Sequence, residues 1–210
     1  MILPLSLASA AGSNDSTQTG SRILNGQVNF NASVSTLNTT VHGVHGDVAG
    51  QSVAGGNVID ITTMNDTNVV NNQYNKSVTI DSTINGRVGD VGGSVGYTSQ
   101  AVCNSAGVST DPTVTAITSN QDCRSIDPSS TVNAKAYNIG GDVGLASSAV
   151  GNTFQADSNA SNMPVDTAQI NSSFVHSTVN GNVSNVGGSV AATSAAIGNN
   201  AQIIHYSTGN

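Results

Sequence analysis

The sequence contains no tryptophan and no glutamate, only 3% aromatic residues and only 8% charged residues. A compact domain of this length normally holds one core of leucine, isoleucine and aromatic side chains, so a thick globular core is excluded. Five lysine and arginine residues oppose twelve aspartates, which excludes the clustered basic surface that nucleic acid requires. No apolar run approaches the roughly 20 residues of a membrane-spanning helix, so no transmembrane segment is predicted.

Asparagine, serine and threonine are abundant instead and make up 76 of the 210 residues. Disordered chains are usually rich in charge and proline, whereas this chain has few charges, four prolines and many β-branched residues. The composition therefore predicts an ordered β-structure. Amide and hydroxyl side chains of this kind can form hydrogen-bonded ladders when identical strands lie above one another.

A phrase of 26 residues occurs four times, beginning at Thr36, Thr83, Thr131 and Thr178, with starts that lie 47, 48 and 47 residues apart. A fixed period of this length is typical of units that bury apolar surface only by stacking on their neighbours. The sequence predicts an all-β protein, a repetitive β-solenoid similar to a β-helix, with four units of about 47 residues. We expect this β-repeat domain to cover residues 22–210.

Apolar and polar residues alternate within the phrase, and the alternation changes parity once. Ile80 and Ile84 share one parity, whereas the apolar and small residues from Val91 onward have the other. Strict alternation is the pattern of a half-buried strand, so each phrase contains two such strands. We expect a bend between them at Gly89–Asp90, where the two later copies carry asparagine in the place of the aspartate.

The stretches that link the phrases leave two arrangements open. Each unit could form two coils of about 23 residues, a size that suits strands rising about 3.3 Å per residue, or one strand pair with a variable loop. The extra residue between the second and third phrases falls in a segment that contains Pro112, Cys123 and Pro128, which we expect to form a loop outside the ladder. The less similar linking stretches are residues 62–77, 109–130 and 157–172.

Asparagine recurs at two points of every phrase. In stacked coils each amide can bond to the one above it, and asparagine also tolerates the left-handed backbone of a corner. We expect two ladders that face corners or the interior; the alternative is a row of polar groups that binds a ligand. The two predicted ladders consist of Asn38, Asn85, Asn133 and Asn180, and of Asn57, Asn104, Asn152 and Asn199.

The two cysteines and the N-terminus both bear on the compartment. Cys103 occupies a place that is glycine in the other phrases, and we expect it to form a disulfide with Cys123 that ties the predicted loop to the body; two unpaired thiols are the alternative. Residues 1–21 are predicted to be a signal-like or flexible N-terminus. Ala8-Ser9-Ala10 matches the cleavage pattern of secretory signals, and we therefore expect export. The basic region that usually begins such a signal is missing.

Motifs for catalysis, cofactors and metals are missing from the sequence. Glycine pairs such as Gly92–Gly93 lack the spacing and the lysine of a phosphate-binding loop, and no G-x-S-x-G elbow with a histidine partner occurs. His42 and His45 lack a third metal ligand, and Asp47 and Asp142 lie outside the nonapeptide repeats of calcium-binding β-rolls. We therefore predict no catalytic, cofactor or metal site and no enzyme activity.

The asparagine- and serine-rich phrase, as in Thr178–Gly181 and Gly188–Asn200, resembles surface proteins that anchor the holdfast of alphaproteobacteria. More loosely, it is similar to curlin-type fibre subunits. The likeness covers about residues 22 to 210 and is one of composition and repeat texture. It implies an exported, amyloid-like or β-solenoid protein that joins an adhesive polysaccharide to the outer membrane.

We therefore expect an exported structural or adhesive protein of the outer cell surface, a fibre or anchor component that links the cell to an extracellular polysaccharide adhesin. Its expected partners are further copies of itself, other fibre subunits and polysaccharide. The alternative is a carbohydrate-binding or ice-binding solenoid. A flat outward row of threonines would favour that alternative, whereas exposed edges that pair subunits would favour the fibre.

Overall fold

The computed structural model describes residues 21–111 and 115–206. Within these two ranges it contains twelve β-strands and no helix. The predicted N-terminal segment lies outside the described residues except for Ser21, which begins the first strand. The strands are β1 (Ser21–Asn29), β2 (Ser33–Val44), β3 (Val48–Thr63), β4 (Thr67–Asn75), β5 (Ile80–Val91), β6 (Val95–Thr110), β7 (Thr115–Cys123), β8 (Pro128–Ile139), β9 (Val143–Ser158), β10 (Val165–Asn171), β11 (His176–Val186) and β12 (Val190–His205).

The strands form three sheets in which every neighbouring pair is parallel. Sheet A contains β1, β4, β7 and β10, sheet B contains β2, β5, β8 and β11, and sheet C contains β3, β6, β9 and β12. Hydrogen-bonded side chains on neighbouring strands of one sheet lie 46, 47 or 48 positions apart. One strand from each sheet therefore makes one coil, and the coils stack in parallel. The prediction of an all-β solenoid is confirmed.

The repeat unit is one coil, so the prediction of two coils of about 23 residues per unit was wrong. A strand pair with a variable loop was also wrong, because the linking stretches form β4, β7 and β10 of sheet A. Their inward positions are polar, as at Asn71, Gln73 and Asn75, and this removed the apolar alternation that marks a strand. The segment expected to loop out is likewise in the sheets: Cys123 ends β7, and Pro128 begins β8, a position that proline tolerates. Pro112 lies outside the described residues.

Sheet C forms one layer of the solenoid, and sheets A and B together form the other. The first half of each C strand packs on sheet B, where Val88 and Val91 share a buried cluster with Tyr97. The second half packs on sheet A, where Val69 shares a buried cluster with Val108. Sheet B therefore has an outer surface that faces away from sheet C.

Large side chains of sheet C face small residues of sheet B. A Cβ atom added at Gly86 would lie 2.4 Å from the ring of Tyr97, and one added at Gly181 would lie 2.9 Å from Leu145. Tyr97 is only 1% exposed, which shows how closely the two layers fit. Few aromatic residues are needed because the layers lie close together.

The predicted bend is present near the end of each B strand. Asp90, Asn138 and Asn185 have φ angles of 55°, 54° and 52°, and Gly43 of the first coil has φ 69°. Asparagine, aspartate and glycine are the residues that adopt this left-handed conformation most readily. The bend reverses the parity of the strand within its last residues. The chain itself turns just afterwards, at residues 92–94 in the second coil.

Candidate functional site

The predicted asparagine ladder that begins at Asn57 lies inside the solenoid, and we call it the interior Asn ladder. Asn57 Nδ2 donates to Asn104 Oδ1 at 2.9 Å, Asn104 donates to Asn152 at 2.8 Å, and Asn152 donates to Asn199 at 2.7 Å. Asn104 and Asn152 are fully buried. The ladder therefore joins all four strands of sheet C by side-chain amides in addition to the backbone.

The second asparagine ladder lies on the outer surface of sheet B, and we call it the outer Asn ladder. Asn85 donates to Asn38 at 2.8 Å, Asn133 donates to Asn85 at 2.9 Å, and Asn180 donates to Asn133 at 2.8 Å. The expectation that this ladder faces a corner or the interior was wrong. The preceding residue, such as Ile84, is apolar and points inward, so alternation along the strand turns the asparagine outward.

A glutamine ladder in sheet A was missed by the sequence analysis. Gln73 donates to Gln27 at 2.8 Å, Gln121 donates to Gln73 at 2.7 Å, and Gln169 donates to Gln121 at 2.8 Å. Each of these donors also reaches a carbonyl of sheet C, as Gln121 does to Thr153 at 2.8 Å. The same 46-to-48-residue spacing holds in the linking stretches, so aligning those stretches would have revealed the ladder.

Replacing Gln121 by leucine is expected to lower the free energy of unfolding by about 2 kcal/mol, because buried acceptors on Gln73 and Thr153 would lose their donor. Asn120 is exposed and also donates to the coil below it, to Asn72 at 3.0 Å. The control Asn120→Leu should therefore cost less than about 0.5 kcal/mol. Chemical denaturation followed by far-ultraviolet circular dichroism measures both, and equal losses would contradict the importance of the buried ladder.

A serine zigzag, also missed, connects sheets B and C through the whole stack. Each serine hydroxyl bonds to a serine of the opposite layer, as Ser99 does to Ser82 at 2.8 Å and Ser130 does to Ser99 at 3.0 Å. The signal in the sequence is a serine directly before the first threonine of each phrase and another 17 residues later. The zigzag comprises Ser35, Ser52, Ser82, Ser99, Ser130, Ser147, Ser177 and Ser194.

The structure pairs Cys103 with Cys123 in a disulfide that is fully buried between sheets C and A. Both cysteines lie in strands, so the disulfide joins two coils of the body and does not tether a loop. At the same place in other coils, glycine of sheet C faces asparagine of sheet A: a Cβ at Gly56 would lie 1.8 Å from Asn75 Nδ2. The cysteine pair thus replaces a glycine and asparagine pair.

The outer surface of sheet B carries aligned polar columns. Beside the outer Asn ladder lies a column that is threonine in every strand, and on its other side lies a column that contains Arg87 and Lys135 as register partners. The outer Asn ladder and the column that contains Arg87 and Lys135 border an open groove with a volume of about 690 Å³, whereas the threonine column lies on the far side of the ladder. The threonine column consists of Thr36, Thr83, Thr131 and Thr178.

The described residues offer neither a cluster of metal ligands nor a membrane-spanning helix. Residues 21–111 and 115–206 contain no cluster of three or more histidine, cysteine or aspartate side chains that could hold a metal ion. The histidines make single contacts instead: His42 Nδ1 lies 3.0 Å from Tyr137 Oη, and His176 Nε2 lies 2.8 Å from Thr178 Oγ1. Across the same part of the chain, no helix is long and apolar enough to cross a membrane.

The sequence of this repetitive β-solenoid is similar to that of a known protein family. The sequence matches the HfaD family, described as holdfast attachment protein D, over residues 8–210. The chain belongs to this family. Searches of the curated proteins and of the solved structures each found no match.

Membership in the HfaD family confirms the resemblance to holdfast-anchoring surface proteins and gives the chain a role in adhesion associated with the holdfast. The looser likeness to curlin-type subunits stays a prediction. In this HfaD family member the aligned polar side chains lie along extended surfaces, of which the outer surface of sheet B is one.

Proposed function

We propose that this HfaD family member is an exported fibre or anchor component that links the cell surface to an extracellular polysaccharide adhesin, and that copies join end to end through their first and last coils. The observation that carries the proposal is the complementarity between the two ends of the ladders. The proposal includes no catalytic step.

The glutamine ladder ends in a spare donor at one end and a spare acceptor at the other. Gln73, Gln121 and Gln169 each donate twice, once to the preceding glutamine and once to a sheet C carbonyl. Among the described residues, Gln27 of the first coil donates only to the carbonyl of Val58, at 3.0 Å. Within the described residues, Gln169 Oε1 has no donor. Gln27 of a second copy would supply that donor.

The two asparagine ladders end in the same complementary way. Asn199 donates to the carbonyl of Gln169 at 3.2 Å and keeps its second N–H, while Asn57 Oδ1 accepts no bond from any described residue. On the outer surface, Asn180 Oδ1 is a spare acceptor and Asn38 Nδ2 a spare donor in the described part of the chain. Stacking the first coil of one copy on the last coil of another would satisfy both ladders.

The polarity of the ladders permits only one order of stacking. Head-to-tail contact pairs every spare donor with a spare acceptor, whereas contact between two first coils would bring the donors of Gln27 and Asn38 against their own equivalents. The edge strands add backbone N–H and C=O groups that a further parallel strand would pair. Half-buried apolar residues of the end coils, such as Leu37 and Val183, would become buried in the same contact.

Anchoring in this arrangement depends on many parallel bonds. Each coil boundary carries backbone bonds from three sheets together with amide and hydroxyl bonds between side chains. A joint built in the same way would contain the same kinds of noncovalent bond, so many bonds in parallel would hold the copies together. This is the property that a fibre or an anchor under tension requires.

Two measurements test the proposal. Sedimentation velocity of the purified chain should show species that lengthen as the concentration rises. Cells that lack the chain should release the polysaccharide adhesin into the medium, and restoring the chain should return the adhesin to the surface. A chain that stays monomeric at high concentration, together with normal retention of the adhesin in cells that lack it, would contradict the proposal.

A ligand-binding solenoid remains the second candidate, and the threonine column on sheet B favours it. The column is flanked by the outer Asn ladder and not by a second threonine column. A mixed surface of hydroxyls, amides and cations suits a carbohydrate better than a regular array for ice. Saturable binding of a glycan by a chain that remains monomeric would establish this second candidate in place of the fibre.

A further inference from the structure

Two basic side chains on the outer surface of sheet B have no acidic partner within residues 21–111 and 115–206. Arg87 and Lys135 are direct register partners on adjacent strands, and both are exposed. Like charges at such positions repel each other and are destabilising. Among the described residues the ion pair is instead formed elsewhere, by Arg124 and Asp122 at 2.8 Å, which raises the pKa of the Arg124 guanidinium through its hydrogen bond to the carboxylate.

The aspartates of the same surface are already engaged. Asp81 accepts hydrogen bonds from Thr83 and Ser129, and Asp90 accepts one from Asn138 at 2.8 Å. Thr40 and Asn182 complete the column of Arg87 and Lys135, so two positive charges lie side by side in a column that contains no carboxylate. These two adjacent positive charges form a site at which a bound anion would relieve the repulsion between them.

The neighbouring column supplies neutral hydrogen-bonding groups at a fixed spacing. Each amide inside the outer Asn ladder, such as Asn85, uses one N–H and one lone pair within the ladder and keeps one of each for a ligand. The amides repeat at the strand spacing of about 4.8 Å along the solenoid axis, a distance similar to one sugar ring in an extended chain.

We propose that the outer surface of sheet B binds an extended polysaccharide that carries carboxylates, with the chain parallel to the solenoid axis. Carboxylates bind Arg87 and Lys135, and sugar hydroxyls bond to the outer Asn ladder, which borders the same groove. The groove of about 690 Å³ provides the space for this chain. The inference rests on the proposed function, since it names the surface through which the polysaccharide is held.

The test measures binding of polygalacturonate to the full chain, with dextran as a neutral polymer and galacturonate as a single sugar. The double variant Arg87→Gln and Lys135→Gln should weaken polygalacturonate binding by about tenfold or more. It should also reduce the slope of log affinity against log salt by up to about 2, because two charged contacts are lost. The control Arg22→Gln and Lys76→Gln removes two exposed charges elsewhere and should change the affinity by less than about twofold.

A second variant separates a glycan site from simple ion exchange. Asn85→Val with Asn133→Val removes two amides that line the groove but keeps the charge and a residue that suits a strand. It should weaken binding by about threefold to tenfold, with the salt slope unchanged. Polygalacturonate should bind much more tightly than galacturonate or dextran.

Several results would overturn the inference: equal weakening by the control pair, equal affinity for dextran, or equally tight binding of single-stranded DNA. Sedimentation of the same samples separates this inference from the proposed function. The Arg87 and Lys135 variant should still assemble because both residues lie outside the end coils. Loss of glycan binding with intact assembly supports the inference, whereas intact glycan binding by a chain that stays monomeric would reject only the fibre.

Discussion

Replacing Cys103 and Cys123 together by serine is expected to lower the free energy of unfolding by about 3 kcal/mol, the loop-closure contribution of a cross-link of this size in the chain-entropy model. The two cysteines lie 20 residues apart in the sequence and are fully buried. The serine hydroxyls would also enter a buried site without assured partners, which adds to the loss. Denaturant unfolding of the oxidised chain and of the double variant measures the difference.

A second double variant tests whether the glycine and asparagine pair of other coils can take the place of the disulfide. Cys103→Gly with Cys123→Asn restores the pair that other coils carry, in which Asn75 donates to a sheet C carbonyl at 2.9 Å and accepts from the backbone of Ser77 at 3.0 Å. It should be more stable than the serine variant by about 1 kcal/mol, the net value of one or two such bonds. A glycine and asparagine variant no more stable than the serine variant would contradict the equivalence of the two pairs.

Replacing Ile203 by lysine should weaken end-to-end assembly about 100-fold. Ile203 is the register partner of buried Ala156, so its side chain belongs to an interior column, and it is 47% exposed in the last described coil. A second copy would cover it, and a lysine there would have to bury an unpaired charge at a cost of roughly 3 kcal/mol. The concentration at which assembly begins, measured by sedimentation, should rise accordingly.

The adjacent residue provides the control for this substitution. Ile204 is the register partner of Asp157, whose column faces outward, so a lysine at this position adds the same charge beside an aspartate and points toward solvent at the rim of the joint. Ile204→Lys should shift the onset of assembly by less than about threefold. Equal effects of the two lysines, or no effect of Ile203→Lys, would show that the last coil is not the joint.

Part of this structure follows from sequence pattern alone. The 47-residue period and the small, β-branched phrase predicted the solenoid, and the parity change predicted the bend at Asp90. A fixed repeat period predicts the register of the strands, because equivalent residues of stacked coils lie next to each other. Asn104, for example, meets Asn57 and Asn152 at the same point of three strands.

Sheet A could not be recognised by apolar alternation, although its glutamines recur at the repeat period. Its inward residues include Asn71 and Gln121, which are buried because ladders and facing carbonyls satisfy their amides. A search for apolar alternation treats such a strand as a loop. The outward direction of the outer Asn ladder, by contrast, was available in the sequence, since Leu37 and Ile84 directly precede two of its residues and face the core.

Electron cryomicroscopy of assembled filaments tests the head-to-tail joint most directly. Each copy contributes four strands to every sheet, so the account predicts subunits of one polarity with an axial rise of about 19 Å and strands spaced by about 4.8 Å along the filament. Across the joint, Gln27 of one copy should lie within hydrogen-bonding distance of Gln169 of the next. Filaments with two-fold symmetry between like ends, or with strands that do not continue in register across the joint, would contradict the account.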